Sequence, residues 1–192
     1  MSFFSFLAPL LLVSHLLQGP GQGTPQAAVA ATTSPGTIPW SANRPLTWAD
    51  FKSKPTPADR LAALTSATID VQAACQDFKF ASTVRAVFMP TESWVREASK
   101  ATPNLLRHEQ VHFDITELYA RKLRQKISLA KFDCEHLQPR FKNMSNALFA
   151  EWQKEEARYD QETNHGLTTD RQRGWEIKVQ NQLIQLAQYA VK

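Results

Sequence analysis

Residues 105–119 read LLRHEQVHFDITELY, which places His108 and His112 four residues apart and Glu109 directly after the first histidine. On a helix, positions i and i+4 share a face, so the two imidazoles point the same way and can converge on one ion. Glu109 projects about 100° around from His108, outside that pair but within reach of a water beside it. The spacing HExxH suits zinc hydrolysis for that reason. Two neutral nitrogens hold the metal, and the carboxylate takes a proton from the water that the metal activates. A catalytic zinc site needs a third protein ligand and keeps a fourth position open, so the rest of the chain must supply one more donor.

The same segment does not supply it. A continuation HExxHxxGxxH would need glycine and histidine where Ile115 and Leu118 stand, which excludes that class. Of the five histidines, His15 lies in an apolar N-terminal stretch, leaving His136 and His165. His136 sits in CEHLQP, a polar connection with nothing of ligand character around it. His165 closes YDQETNHG, residues 159–166, where ligand-type side chains and a phenol crowd together. Upstream, Leu148, Trp152, Glu155, Tyr159 and Glu162 follow 4, 3, 4, 3 spacing, so one helix face begins apolar and becomes acidic and phenolic. Carboxylates on a core-facing stripe are costly to desolvate unless they are paired or bound to a cation. Glu162 is therefore the runner-up third ligand and Asp160 the next. Either can instead orient a liganding imidazole, or lie at a solvated helix end. Asp114, in HFD, is a similar orienting partner or a surface residue.

These residues need rigid elements to position them. Thr102-Pro103 offers an N-cap followed by proline at the first helical position, and no breaker follows as far as about Ile127. A polar turn with Cys134 and Pro139 leads to a second helix, about 141–163, ended by Gly166. Asp170 can cap a third, in which Trp175, Val179, Leu183, Leu186 and Ala190 recur on one stripe. Before Pro90 the pattern changes. ATIDVQAAC (67–75) and FKFASTVRAVF (78–88) are rich in β-branched and aromatic residues with only Gln76-Asp77 between them, which predicts an antiparallel hairpin or meander. Strands followed by three main helices give an α+β fold.

At 192 residues the chain is long enough for one domain with a real core. The first thirty residues hold no Asp, Glu, Lys or Arg, and FFSFLAPLLLVSHLL is a short apolar run of signal-peptide type. We expect a signal peptide over 1–30, a flexible Gly/Pro/Ala leader over 31–39, and a single folded domain over 40–192. Export to the periplasm or beyond makes the two cysteines, Cys75 and Cys134, a candidate disulfide. Closing a loop of about 60 residues would stabilise the fold by roughly 4 kcal/mol. The net charge of +4 is modest. Its one basic cluster, Arg121, Lys122, Arg124 and Lys126, falls at the predicted end of the first long helix, where it complements the helix dipole better than it suits nucleic acid.

HEQVHFDITELYARKL, together with LTWADF, SWV at 93–95 and YDQETNHG followed by Trp175, resembles a bacterial family of unknown function described as predicted secreted zinc-dependent proteases. The similarity spans roughly residues 40–180. It implies a zincin-like fold with His108 and His112 as zinc ligands, Glu109 as the catalytic acid/base and His165 as the third ligand. The expected activity is hydrolysis of a peptide or protein substrate. Glu109 would take a proton from zinc-activated water and return it to the leaving amine, while zinc and Tyr159 stabilise the oxyanion. The substrate would lie along a sheet edge. No nucleic-acid partner is expected, and no stable membrane association after signal cleavage. The competing expectations are a non-catalytic zinc-binding protein of the cell envelope, and a zinc amidase acting on peptidoglycan peptides.

Overall fold

Strand propensity and turn chemistry act together between Ala67 and Phe88. In the computed structural model, which describes residues 36–191, β3 (Ala67–Gln76) and β4 (Lys79–Phe88) pair antiparallel in unbroken register from Ala67↔Phe88 to Gln76↔Lys79. Asp77 and Phe78 form the connection, both with positive φ (49° and 60°), which is the turn whose twist suits a two-residue hairpin loop. Ile69, Val84, Ala86 and Phe88 face the core. The expected hairpin is thus present, with its turn one residue later than the spacing suggested.

Three short strands complete the β structure. β1 (Ile38–Pro39) pairs with the other side of β4, giving the order β1-β4-β3. This corrects the leader boundary: Ile38 and Pro39 belong to the folded sheet, and proline is tolerated because the strand is an edge. β2 (Ala63–Leu64) and β5 (Trp94–Val95) form a separate antiparallel pair. The N-terminal apolar segment and the leader as far as residue 35 lie outside the described residues.

The central element is α1 (Pro103–Ala130). Its N-cap Thr102 accepts a hydrogen bond from the Leu105 N–H, satisfying one of the free donors of the first turn. Phe113, Ile115, Leu118, Ala120 and Leu123 are at most 1% exposed. The helix is covered on several sides because the β3–β4 sheet, α2 (Arg140–Thr163) and α3 (Thr169–Gln185) all pack on it. Phe113 meets Phe88 from β4, which in turn meets Phe51. Leu148 and Tyr159 of α2 and Trp175, Val179 and Leu183 of α3 complete the same core.

Two details of the helix ends bear on the site. α2 stops at Thr163 and is followed by three residues with positive φ, Asn164 (48°), His165 (52°) and Gly166 (81°). Asn tolerates this left-handed region, so Asn164, ahead of the expected Gly166, caps the helix. α3 starts two positions earlier than expected, with Thr168 as N-cap and Asp170 in the first turn, near the positive end of the helix dipole. Cys75 and Cys134 are bonded, tying the hairpin tip to the α1–α2 connection. Among the described residues no helix is long and apolar enough to cross a membrane. The architecture is α+β, small antiparallel sheets followed by three helices.

Candidate metal centre

α1 and α2 cross the site in opposite directions, and each contributes a ladder with one-turn spacing. His108 Nε2 lies 3.1 Å from Asp160 Oδ1, and His112 Nδ1 lies 2.6 Å from Glu156 Oε2. One step of four residues forward on α1 therefore meets one step of four backward on α2. His112 Nε2 is also 3.1 Å from Asp160 Oδ1 and 3.3 Å from His108 Nε2. The turn after α2 brings His165 Nδ1 to 3.2 Å from the same Asp160 oxygen. The donor atoms of His108, Asp160 and His165 all fall within 4.8 Å of one another.

Neighbouring groups decide which nitrogen of each ring carries its proton. Gln172 Nε2 donates to the Asn104 carbonyl and to Glu176, both at 3.2 Å, which turns Gln172 Oε1 toward His108 Nδ1 at 3.2 Å. The His108 proton is thereby placed on Nδ1, leaving the Nε2 lone pair facing Asp160. Glu156 does the same for His112 and is itself held by the Trp152 indole N–H at 2.8 Å. Two lone pairs and a carboxylate oxygen then converge, an arrangement that could hold a cation among them. Ligands of a tetrahedral zinc at 2.0–2.1 Å lie about 3.3–3.4 Å apart. The observed separations of 3.1–3.3 Å among His108, His112 and Asp160 fit that spacing with little adjustment. Without a metal, protons fill the role. Burial opposes a charge on His112, yet its hydrogen bonds to Asp160 and Glu156 and the charge of Glu109 raise its pKa well above the ordinary value. Burial would lift Asp160, but hydrogen bonds from His108 and His112 hold it far below the carboxylate range.

Glu109 borders the same cleft, 3% exposed. Its carboxylate has no hydrogen-bond or ion-pair partner among the described residues, while its main-chain carbonyl accepts from Thr65 Oγ1 at 3.2 Å. That bond fixes the segment after β2 against α1. The cleft measures about 230 Å³ and is completed by Leu61, Ala63, Leu105 and Trp152.

Several expected site residues take other places. Tyr159 is fully buried and stacks on His108 with centroids 4.7 Å apart. Its hydroxyl is directed at the His108 carbonyl at 3.3 Å, so it supports the site from behind and does not line the cleft where an oxyanion would form. Burial and nearby carboxylates push its pKa far up, in keeping with a neutral structural phenol. Glu162 accepts from the Trp175 indole at 2.8 Å and lies near Arg158, half exposed, bracing α2 against α3 away from the donor cluster. Asp114 accepts from Trp40 Nε1 (2.7 Å) and Gln110 (2.8 Å), anchoring the N-terminal segment to α1 without orienting either histidine. His136 is exposed and bonded to Asp133. Two participants escaped the sequence reading. Glu156 was detectable, because Trp152, Glu156 and Asp160 repeat the i, i+4 spacing of the two histidines. Gln172 carries no comparable signal.

Residues 36–166 match a family described as "Bacterial protein of unknown function (DUF922)", and the chain belongs to that family. The matched region holds α1, α2 and the turn bearing His165, and ends before α3. No curated protein and no solved structure matches the chain.

Proposed function

We propose that this member of the family is a zinc-dependent peptidase acting outside the cytoplasm. In this reading His108, His112 and Asp160 hold zinc, the fourth position is left to water, His165 stands beside them at 3.2 Å from Asp160, and Glu109 is the general base. The observation that carries it is the convergence of two oriented imidazole lone pairs and a carboxylate beside an unpartnered, nearly buried glutamate. Two histidines and a carboxylate form a ligand set that zinc hydrolases use. When bound, zinc supplies Lewis-acid chemistry, polarising a carbonyl and making water nucleophilic near neutral pH.

The protein's own groups do the remaining work. Glu109 is free to accept a proton at its carboxylate and to return it to a departing amine, since no neighbour competes for its oxygens. Glu156 and Gln172 keep the imidazoles in one tautomer. Tyr159 and Trp175, in edge contact at 5.3 Å, form a rigid floor under both rings. β2 pairs with β5 on one side only, so its other edge is available along the cleft for an extended peptide backbone. The disulfide and the uncharged N-terminal segment support a secreted or periplasmic location.

A non-catalytic zinc protein is favoured by one feature, the nearness of His165, which could close a four-ligand shell. Glu109→Gln separates the two. The peptidase reading expects full zinc content with hydrolysis of a peptide mixture reduced at least about 100-fold. Equal cleavage by wild type and variant sinks the mechanism, and no cleavage by either favours the closed shell.

A further inference from the structure

The cleft does not end at His165. Leu61, Ala62, Leu105 and His165 also line a second hollow of about 570 Å³, so the two form one trough with the imidazole of His165 on the divide. Their charges are opposite. The metal side carries Glu109, Glu156 and Asp160 with no Lys or Arg in its lining, whereas the far side carries Arg60, Arg96 and Lys100 against the single carboxylate of Glu97.

The three cations are not equivalent. Lys100 is paired with Glu97. Arg96 donates to the main-chain carbonyls of Asp59 (2.7 Å) and Leu61 (3.3 Å). Its guanidinium therefore clamps the chain on both sides of residue 60. Arg60 is exposed, and its own guanidinium has no hydrogen-bond or ion-pair partner among the described residues. A fixed backbone thus presents a free, planar donor at the mouth of the trough.

Direction follows from β2. Residues 60–65 run lengthwise, from Arg60 in the basic hollow to Ala63, Leu64 and Thr65 in the metal cleft. A peptide strand added antiparallel to β2 would enter the basic hollow with its C-terminal portion. A parallel strand would bring its N-terminal portion, and any terminal ammonium would be repelled there. The charge distribution selects the antiparallel arrangement.

Resting on the peptidase reading, we propose that the substrate is a peptide with a carboxylate on the C-terminal side of the scissile bond, received by Arg60. The carboxylate is either the chain terminus or an Asp or Glu side chain. Arginine matches either with two parallel N–H donors.

Binding tests this without requiring turnover. Zinc-loaded Glu109→Gln protein is titrated by fluorescence polarisation with four peptides of one apolar sequence: amidated and neutral, free-acid and neutral, amidated with an internal glutamate, and amidated with an internal lysine. We expect one or both carboxylate peptides to bind roughly tenfold tighter than the amidated neutral one. The advantage should shrink in 1 M salt, where the Debye length falls to about 3 Å, and should vanish in Arg60→Glu. Which of the two acids gains identifies the source of the carboxylate. Equal affinity for all four peptides, or an acid preference that survives Arg60→Glu, overturns the proposal. Cleavage products of the wild type, sized by mass spectrometry, must place the acid C-terminal to the cut; an acid on the other side also overturns it. Equal affinities alongside Glu109-dependent cleavage remove the preference and leave the peptidase. An acid preference abolished by Arg60→Glu, with no cleavage of any peptide, removes the peptidase and leaves the carboxylate site.

Discussion

Asp160→Asn should weaken zinc binding far more than any change at Glu162. Asp160 Oδ1 lies within 3.2 Å of His108, His112 and His165 together. Asparagine keeps its size and one carbonyl oxygen but removes the negative charge. Structural zinc sites with four ligands bind with about 10–16 kcal/mol, so one ligand accounts for roughly 2.5–4 kcal/mol, or about a 100- to 1000-fold change in affinity. Glu162 donates nothing to the cluster and is committed to Trp175, so Glu162→Gln should bind zinc as wild type does. The assay is competition against a chromophoric chelator at neutral pH, with circular dichroism confirming that each metal-free variant is folded. Affinity lost at Glu162→Gln and retained at Asp160→Asn would show that the α1–α2 pairing described above is not the one that holds metal.

Other outcomes are expected elsewhere. Gly166→Ala should lower stability by about 1–3 kcal/mol and weaken zinc binding, because Gly166 has φ +81°. A Cβ there would also lie 3.0 Å from His108 Cβ and Cγ; wild-type urea midpoint and zinc affinity would refute this. Replacing Cys75 and Cys134 together with alanine should cost roughly 2–4 kcal/mol in urea unfolding, most visibly as loss of hydrogen-exchange protection at the β3–β4 tip. For Asp50, burial acts to raise the pKa, but the Thr47 N–H and hydroxyl and the Arg44 guanidinium lower it on balance. Its folded pKa is thus below its unfolded one, and its contribution is present above about pH 4 and lost as pH falls through the folded value. The stability gap between wild type and Asp50→Asn should therefore shrink between pH 5 and pH 2, and a gap constant over that range refutes the assignment.

The long elements were legible because their signals are local. Thr102-Pro103 and the β-branched run at 67–75 state their structure within a few residues, and the fold class follows from their order. β1, β2 and β5 were not legible, since two-residue strands have no period to read and form only because β4 or each other offers a partner. Site residues on α1 could be read from spacing alone. On α2 Asp160 was among the candidates but was ranked behind Glu162: the acidic members of the 4, 3, 4, 3 stripe, Glu155 and Glu162, meet Lys178 and Trp175 of α3, while its Tyr159 packs on both imidazoles. Glu156 and Asp160 lie on the adjacent face, and only the antiparallel crossing with α1 reveals that this is the face that counts. Gln172 acts through tertiary contact from a helix beyond the matched family region, which no local pattern encodes.

α1 itself shows how the candidate metal centre differs from ordinary buried charge. Nine residues past His108, Glu117 is 3% exposed, yet it accepts from Arg121 at 2.8 Å and from Arg124 at 2.9 Å. Arg121 also donates to the Leu183 carbonyl at 2.6 Å. That network contains its own cations and accounts for itself as structure. The cluster earlier on the helix brings Glu109, Glu156 and Asp160 around two imidazoles, and no lysine or arginine lines the cleft. The same fold that neutralises Glu117 with two arginines leaves these three carboxylates with no lysine or arginine partner, and it is the His112 imidazole whose positive charge they favour. On the proposed function, that unmatched negative charge is what a divalent ion would neutralise.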